Sequence, residues 1–221
     1  MTQLILDLGH RPALGEADFM VAPSNEQAVQ WLDRWPRWPA PALTIYGPPG
    51  CGKTHLARVF AARSGAAVIP AAALSTERVP ELLGASRAAV VDDADRAPRE
   101  ALLHLYNVLA ERGGHLLLTA GEPPARWGDA LPDLRSRLSA APAIPVAPPD
   151  DALLAALLVK LFGDRQLAVG EDVLRFLLPR MERSFEAARR LVAALDTAAL
   201  RERRAITIPL ARGVLSRGQG E

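Results

Sequence analysis

The stretch Gly47 to Thr54 reads GPPGCGKT and fills every fixed position of the pattern G-x-x-x-x-G-K-[ST]. Gly47, Gly50 and Gly52 let backbone N–H groups turn inward around phosphates with no side chain in the way. Lys53 would reach the β- and γ-phosphates, and the Thr54 hydroxyl would ligate Mg²⁺. Pro48, Pro49 and Cys51 fill the free positions, and His55 follows on the helix that the pattern demands, whose N-terminus adds a favourable dipole. Cys51 is read as a tolerated small residue. His55, His104 and His115 lack metal-ligand spacing.

AAVVDDAD supplies the second half of such a site. Asp92 ends an apolar run, where an acid would meet the metal through water. Asp93 is placed to orient a water for attack on the γ-phosphate. Asp95 reads as a residue that caps or solvates the turn. In HLLLTAGEPP, Thr119 or Glu122 is the candidate to sense the γ-phosphate, although a polar residue at a strand end is also ordinary.

These residues need a frame. ALTIY, AAVIP, RAAVVDD, HLLLT and the weaker AIPV read as short buried strands. SNEQAVQWLDRW reads as a helix capped by Ser24, with Ala28, Trp31, Leu32 and Trp35 on one face. KTHLARVFAAR and PREALLHLYNVLAER read as further helices, the second with Pro98 in its first turn. Alternating strands and helices predict an α/β domain with a parallel sheet covered on both faces. After APPDD the pattern changes: DDALLAALLVKLF, GEDVLRFLLPRM and SFEAARRLVAALDTAALRER carry helical spacing and no strand follows. The expected organisation is a tail over 1–15, an α/β nucleotide-binding domain over 16–148 and a small all-α lid over 149–221.

Of 221 residues, 49% are hydrophobic, enough for a sizeable core, and the net charge of +1 argues against a strongly basic nucleic-acid surface. The single cysteine excludes an internal disulfide and fits a reducing compartment. No apolar run reaches membrane-spanning length and no secretory signal opens the chain, so the expectation is a cytoplasmic protein. One segment needs a separate explanation. In TQLILDL, Leu4, Leu6 and Leu8 alternate with Gln3, Ile5 and Asp7, which is strand spacing on a chain terminus. It reads either as an edge strand on the protein's own body or as a peptide that docks on a partner.

FMVAPSNEQA, GPPGCGKTHL, VVDDAD, LLLTAGEPP and DLRSRL occur in an order that resembles the AAA+ ATPases of the DnaA branch, most closely its Hda-like regulators of bacterial replication initiation. The resemblance implies an AAA+ core with a helical lid, ADP or ATP with Mg²⁺ as cofactors, and weak intrinsic hydrolysis. It implies two partners, the β sliding clamp and DnaA, with self-association as a further expectation. QLILDL fits the clamp-binding form Gln-Leu-x-Leu-x-Leu, with Gln3 hydrogen-bonding and Leu4, Leu6 and Leu8 filling an apolar cleft. DnaA itself continues into a helix-turn-helix domain. The residues after ITIPLARGVLSRG leave no room for one, so DNA is expected to be reached only through the clamp.

DLRSRL resembles the block that carries an arginine finger, pointing to Arg137, with Arg135 next. In this reading Arg137 serves ATP held by DnaA; the alternative is a surface pair with Asp133. DnaA-type lids place an arginine near the start of the last lid helix, where ERSFEAARR puts Glu186. A carboxylate there would repel a γ-phosphate, which predicts a preference for ADP unless Arg189 or Arg190 reaches instead. Phe19, Met20 and Val21 are candidates for packing on adenine, with plain core packing equally open. The competing function is a free-standing ATPase loader or motor related to DnaA, DnaC or clamp loaders. A third, a DNA-targeting adaptor without catalysis, fits the near-neutral charge poorly.

Overall fold

Alternation along five short strands sorts the core into two layers. β1 (Ala42–Tyr46), β2 (Ala67–Pro70), β3 (Ala88–Asp92), β4 (His115–Ala120) and β5 (Ala143–Pro145) form one parallel sheet in the order β2-β3-β4-β1-β5. Leu43, Ile45, Val90, Leu117 and Ile144 face α1 (Glu26–Asp33) and α2 (Lys53–Ser64), packing with Leu32, Leu56, Val59 and Phe60. Ala42, Ala89, Val91, Leu116 and Leu118 take the other face. They pack with residues of α3 (Val79–Leu83), α4 (Arg99–Glu111) and α5 (Pro132–Ser139). Period-two side-chain alternation fills both layers from one strand, and the expected α/β sheet is the result.

The computed structural model describes residues 21–128 and 131–218. Within it the chain divides between Ala147 and Pro148 into two compact units. The second unit contains α6 (Asp151–Asp164), α7 (Glu171–Leu177), α8 (Phe185–Glu202) and α9 (Ile208–Gly218). Leu154, Leu158, Phe162, Val173, Leu177, Leu191, Leu195 and Leu210 close its own core. Two of its helices start on side-chain caps: Asp150 accepts from Leu153 N–H at 2.7 Å, and Ser184 from Ala187 N–H at 3.0 Å. Such a cap contributes about 1 kcal/mol.

Several elements differ from the sequence expectation, α5 among them, which no periodicity announced, and Pro98, which is the N-cap of α4 and lies just outside its first turn. The first helix has Asn25 at its N-cap position, with no side-chain cap bond, and ends at Asp33, so Ser24 and Trp35 lie outside it. Asn25 Oδ1 accepts from Ala22 N–H, which closes a turn, and the Ser24 carbonyl is taken by Ala147 N–H. Trp35 instead packs edge-on against Phe60 at 5.8 Å, beside Trp38, which stacks on the same ring at 5.4 Å. The last helix, α9, was not expected. Pro209 fits a first turn because its missing N–H is unneeded there, but it and Gly213 hide the helical signal. Helix α3 is a little over one turn, too short to show periodicity.

Candidate functional site

The phosphate-loop residues form a tight bend between β1 and α2. A β-carbon on Gly47 would sit 2.1 Å from the Val146 carbonyl oxygen, so only glycine fits. Gly52, with φ at 102°, leads into α2 in a conformation other residues rarely adopt. No side chain caps α2, which leaves its first N–H groups available to an anion. Lys53 is only 9% exposed, and its ammonium donates to the carbonyls of Gly47 at 2.7 Å and Pro48 at 2.9 Å. Two of its three N–H groups thus brace the loop on carbonyls, and the third makes only a long contact to the Cys51 sulfur. The Cys51 thiol lies 3.8 Å from the same ammonium and is buried. Burial raises its pKa above the ordinary thiol value, outweighing the nearby Lys53 charge.

The acids meet this loop from the neighbouring strands. Parallel register sets Val91 beside Leu118, so Asp92 and Thr119 are adjacent at the ends of β3 and β4. Thr54 Oγ1 lies 3.2 and 3.1 Å from the two Asp92 carboxylate oxygens. Thr119, fully buried, contacts Asp92 Oδ1 at 2.6 Å and takes Asp93 N–H at 2.9 Å. Asp93 is exposed and left-handed, with φ at 56°, a conformation that aspartate tolerates better than most residues. Asp95 does more than solvate its turn: its carboxylate accepts from Gly121 N–H at 2.8 Å and ties the loop after β3 to the end of β4.

Thr54 and Asp92 offer hard oxygen donors of the kind Mg²⁺ takes. Among the described residues no cluster of three or more His, Cys, Asp or Glu side chains could hold a metal by itself. That fits an ion held chiefly by phosphate and water with one or two protein oxygens. Beside the loop runs a groove of about 380 Å³, lined by Tyr46, Gly47, Pro48, Gly121, Glu122 and Arg126 among others. Glu122 therefore lies next to the phosphate loop, which its sequence position alone did not establish.

Other expected site residues are scattered. His55 is half-buried in the first turn of α2. Val21 is half-buried and packs against the α1–α2 cluster. Arg137 and Arg135 are exposed on α5. Arg137 does not pair with Asp133; its guanidinium lies 5.4 Å from the ring centre of Tyr106, which is 5% exposed. In the lid, Glu186 accepts from Arg190 at 2.9 Å, and Arg190 also faces Glu182 at 3.6 Å. Arg190 is thus engaged by two carboxylates, and Arg189 is the exposed cation left over. Gln3, Leu4, Leu6, Leu8, Phe19 and Met20 lie outside the described residues.

Comparison with known proteins places this geometry in a family context. Residues 43–110 match the model for the ATPase family associated with various cellular activities, and residues 150–215 match that for the Hda lid domain. Domain III of the Thermotoga maritima replication initiation protein DnaA superposes with a TM-score of 0.73, covering 90% of this chain and 94% of that one at 18% identity. The fold is that of a DnaA-like AAA+ ATPase. Replication initiator DnaA bound to AMPPCP and single-stranded DNA aligns over 87% of this chain and 69% of its own, at 17% identity and a TM-score of 0.68. AMPPCP-bound DnaA from Aquifex aeolicus aligns over 84% and 67%, at 17% identity and 0.67. Identities this low speak to the fold, and function has to be argued from the site. No helix among the described residues is long and apolar enough to cross a membrane.

Proposed function

We propose that this AAA+ protein is a cytoplasmic, nucleotide-gated negative regulator of replication initiation that acts on DnaA at the β sliding clamp. The observation that carries the reading is the combination in one chain of a complete phosphate loop, wired to Asp92 through Thr54, and a lid matched by the Hda lid model. The core, over 16–148, binds ADP or ATP. Gly47 to Thr54 surround the phosphates with backbone N–H groups, and Lys53 turns its long Cys51 contact over to them. Mg²⁺, held by Thr54 and Asp92, would neutralise phosphate charge, while Asp93 orients a water. Phe19 and Val21 line the base.

The tail, 1–15, docks on the clamp as an added extended segment, with Gln3 fixing register and Leu4, Leu6 and Leu8 filling pockets. Arg137 then reaches ATP held by DnaA and offsets charge that builds in phosphoryl transfer. Arginine fingers of this kind accelerate hydrolysis by on the order of 10³–10⁵. Its guanidinium rests over the Tyr106 ring of α4, with no carboxylate among the described residues paired to it. Glu186, at the lid position where DnaA-type proteins carry arginine, lowers the preference for a triphosphate, and Arg190 offsets part of that effect.

The deciding assay follows hydrolysis of DnaA-bound ATP with this protein and DNA-loaded clamp, together and separately. Acceleration only when both are present is the expected result, and no acceleration would remove the regulatory reading. A free-standing ATPase is the second reading, favoured by the intact Asp92–Asp93 pair beside the loop. Strong turnover by the protein alone, lost on changing Lys53 or Asp93, would select it.

A further inference from the structure

The hydrogen bonds around Thr119 can be assigned a direction. A threonine hydroxyl has one proton to give and lone pairs to accept with. Asp93 N–H, 2.9 Å away, can only donate, and Asp92 Oδ1, 2.6 Å away, accepts. The order is therefore Asp93 N–H to Thr119 Oγ1, and Thr119 O–H to Asp92 Oδ1. The hydroxyl proton is spent on the carboxylate. The residue is fully buried, so no water competes for it. A γ-phosphate, which is also an acceptor, would have to displace the shortest contact Asp92 makes.

We infer that Thr119 is a positioning residue for Asp92 and not a γ-phosphate sensor. It holds Asp92 Oδ1 and ties that grip to the backbone of Asp93, so the end of β4 fixes the Asp92 carboxylate and the Asp93 main chain as one unit. Oriented carboxylates bind metal better because their outer partners lock the productive rotamer, and losing such a partner costs about 10- to 100-fold in metal affinity. Thr119 therefore serves the metal-dependent part of nucleotide affinity, and it serves ADP and ATP alike. The inference rests on the nucleotide-binding reading of the preceding subsection and extends it: discrimination between the two nucleotides has to come from elsewhere than β4.

The test is calorimetric titration of the full chain with ADP and with AMPPCP, each in excess Mg²⁺ and in EDTA. It compares the wild type with Thr119→Val and Thr119→Ser. The Val variant is expected to lose about 10-fold of the affinity gained on adding Mg²⁺, for both nucleotides. Its affinities in EDTA and its ADP-to-AMPPCP ratio should stay as in the wild type, and the Ser variant should keep the Mg²⁺ gain. A selective loss of AMPPCP affinity in Thr119→Val would overturn the inference and make Thr119 a γ-phosphate ligand; an unchanged Mg²⁺ gain would overturn it too. Absence of nucleotide binding by the wild type would instead remove the reading beneath it. Should Thr119→Val fail to fold, a crystal structure of the wild type with Mg²⁺ and AMPPCP decides. Thr119 still bonded to Asp92 supports the assignment, and Thr119 bonded to a γ-phosphate oxygen refutes it.

Discussion

Replacing Lys53 by Met keeps the length of the side chain and removes its charge. The structure lets the two consequences be separated. Two ammonium N–H groups hold the carbonyls of Gly47 and Pro48, and the third, on Cys51 Sγ at 3.8 Å, is the weakly held one that a phosphate can take over. Losing that last contact removes one charge-assisted hydrogen bond, worth about 1.5–3 kcal/mol, or about 10- to 150-fold in affinity. The loop carbonyls lose their donor as well, but Pro48 is exposed and water can replace the bond there. The stability cost should then be about 1 kcal/mol, a fall of about 2–4 °C in Tm for a chain of this size. Calorimetric titration with ADP measures the first quantity and a thermal melt the second. If Lys53→Met bound ADP within about two-fold of the wild type, the single-donor argument and the phosphate assignment of the loop would both be wrong. If Tm fell much further, Lys53 would be a structural brace first.

Other expectations are narrower. Arg137→Ala should leave clamp binding and ADP affinity intact and abolish stimulation of DnaA, by about 10³-fold or more. Losing its contact with Tyr106 costs only about 0.5–1 kcal/mol. Retained stimulation would shift the finger to Arg135. Gln3→Ala combined with Leu4→Ala should end clamp binding in a pull-down without changing the thermal melt; unchanged clamp capture would return the tail to an edge-strand role. His115, packed edge-on against Trp35 and Trp38, has its pKa lowered by burial. The folded state therefore takes up its proton at lower pH than the unfolded chain does. Its contribution is fully present above about pH 6.5 and is lost as pH falls from there through the folded-state value. His115→Gln should flatten that part of the stability–pH curve, measured by urea titration. Cys51 should alkylate slowly in the native protein near pH 8, because its thiol is buried and its pKa raised; rapid labelling would contradict that burial.

What could be read before the structure was what lies close in the chain. GPPGCGKT states its chemistry through nearby residues, because backbone N–H groups would bind the anion and the glycines that free them, Gly47, Gly50 and Gly52, share one short loop. β1, β3 and β4 were visible because each is a short run buried on both faces, whereas the edge strands β2 and β5 bury only one. What escaped depends on register or on distant partners. Thr119 or Glu122 read as a candidate γ-phosphate sensor from the end of a strand, and only the pairing of Val91 with Leu118 shows that Thr119 lies beside Asp92. Arg137 looked like a possible partner of Asp133, four residues away, yet it lies over Tyr106 from another helix. Ser24 is as good a capping residue as Asn25; the choice was made by Ala147, whose N–H takes the Ser24 carbonyl from the far end of the domain.

The two hydroxyls on Asp92 differ in a way that orders their roles. Thr54 approaches both carboxylate oxygens at 3.1–3.2 Å, a long and divided contact, whereas Thr119 holds one oxygen at 2.6 Å. Short hydrogen bonds to a charged acceptor are the strong ones, and the buried one is not weakened by exchange with water. Of the two, Thr54 is the donor that can be given up without moving the acid. It also sits at the start of α2, on the exposed side, where phosphate and metal would arrive. The site is therefore built with one permanent bond and one replaceable bond on the same carboxylate. That arrangement lets the phosphate loop exchange partners while the sheet keeps Asp92 where it is.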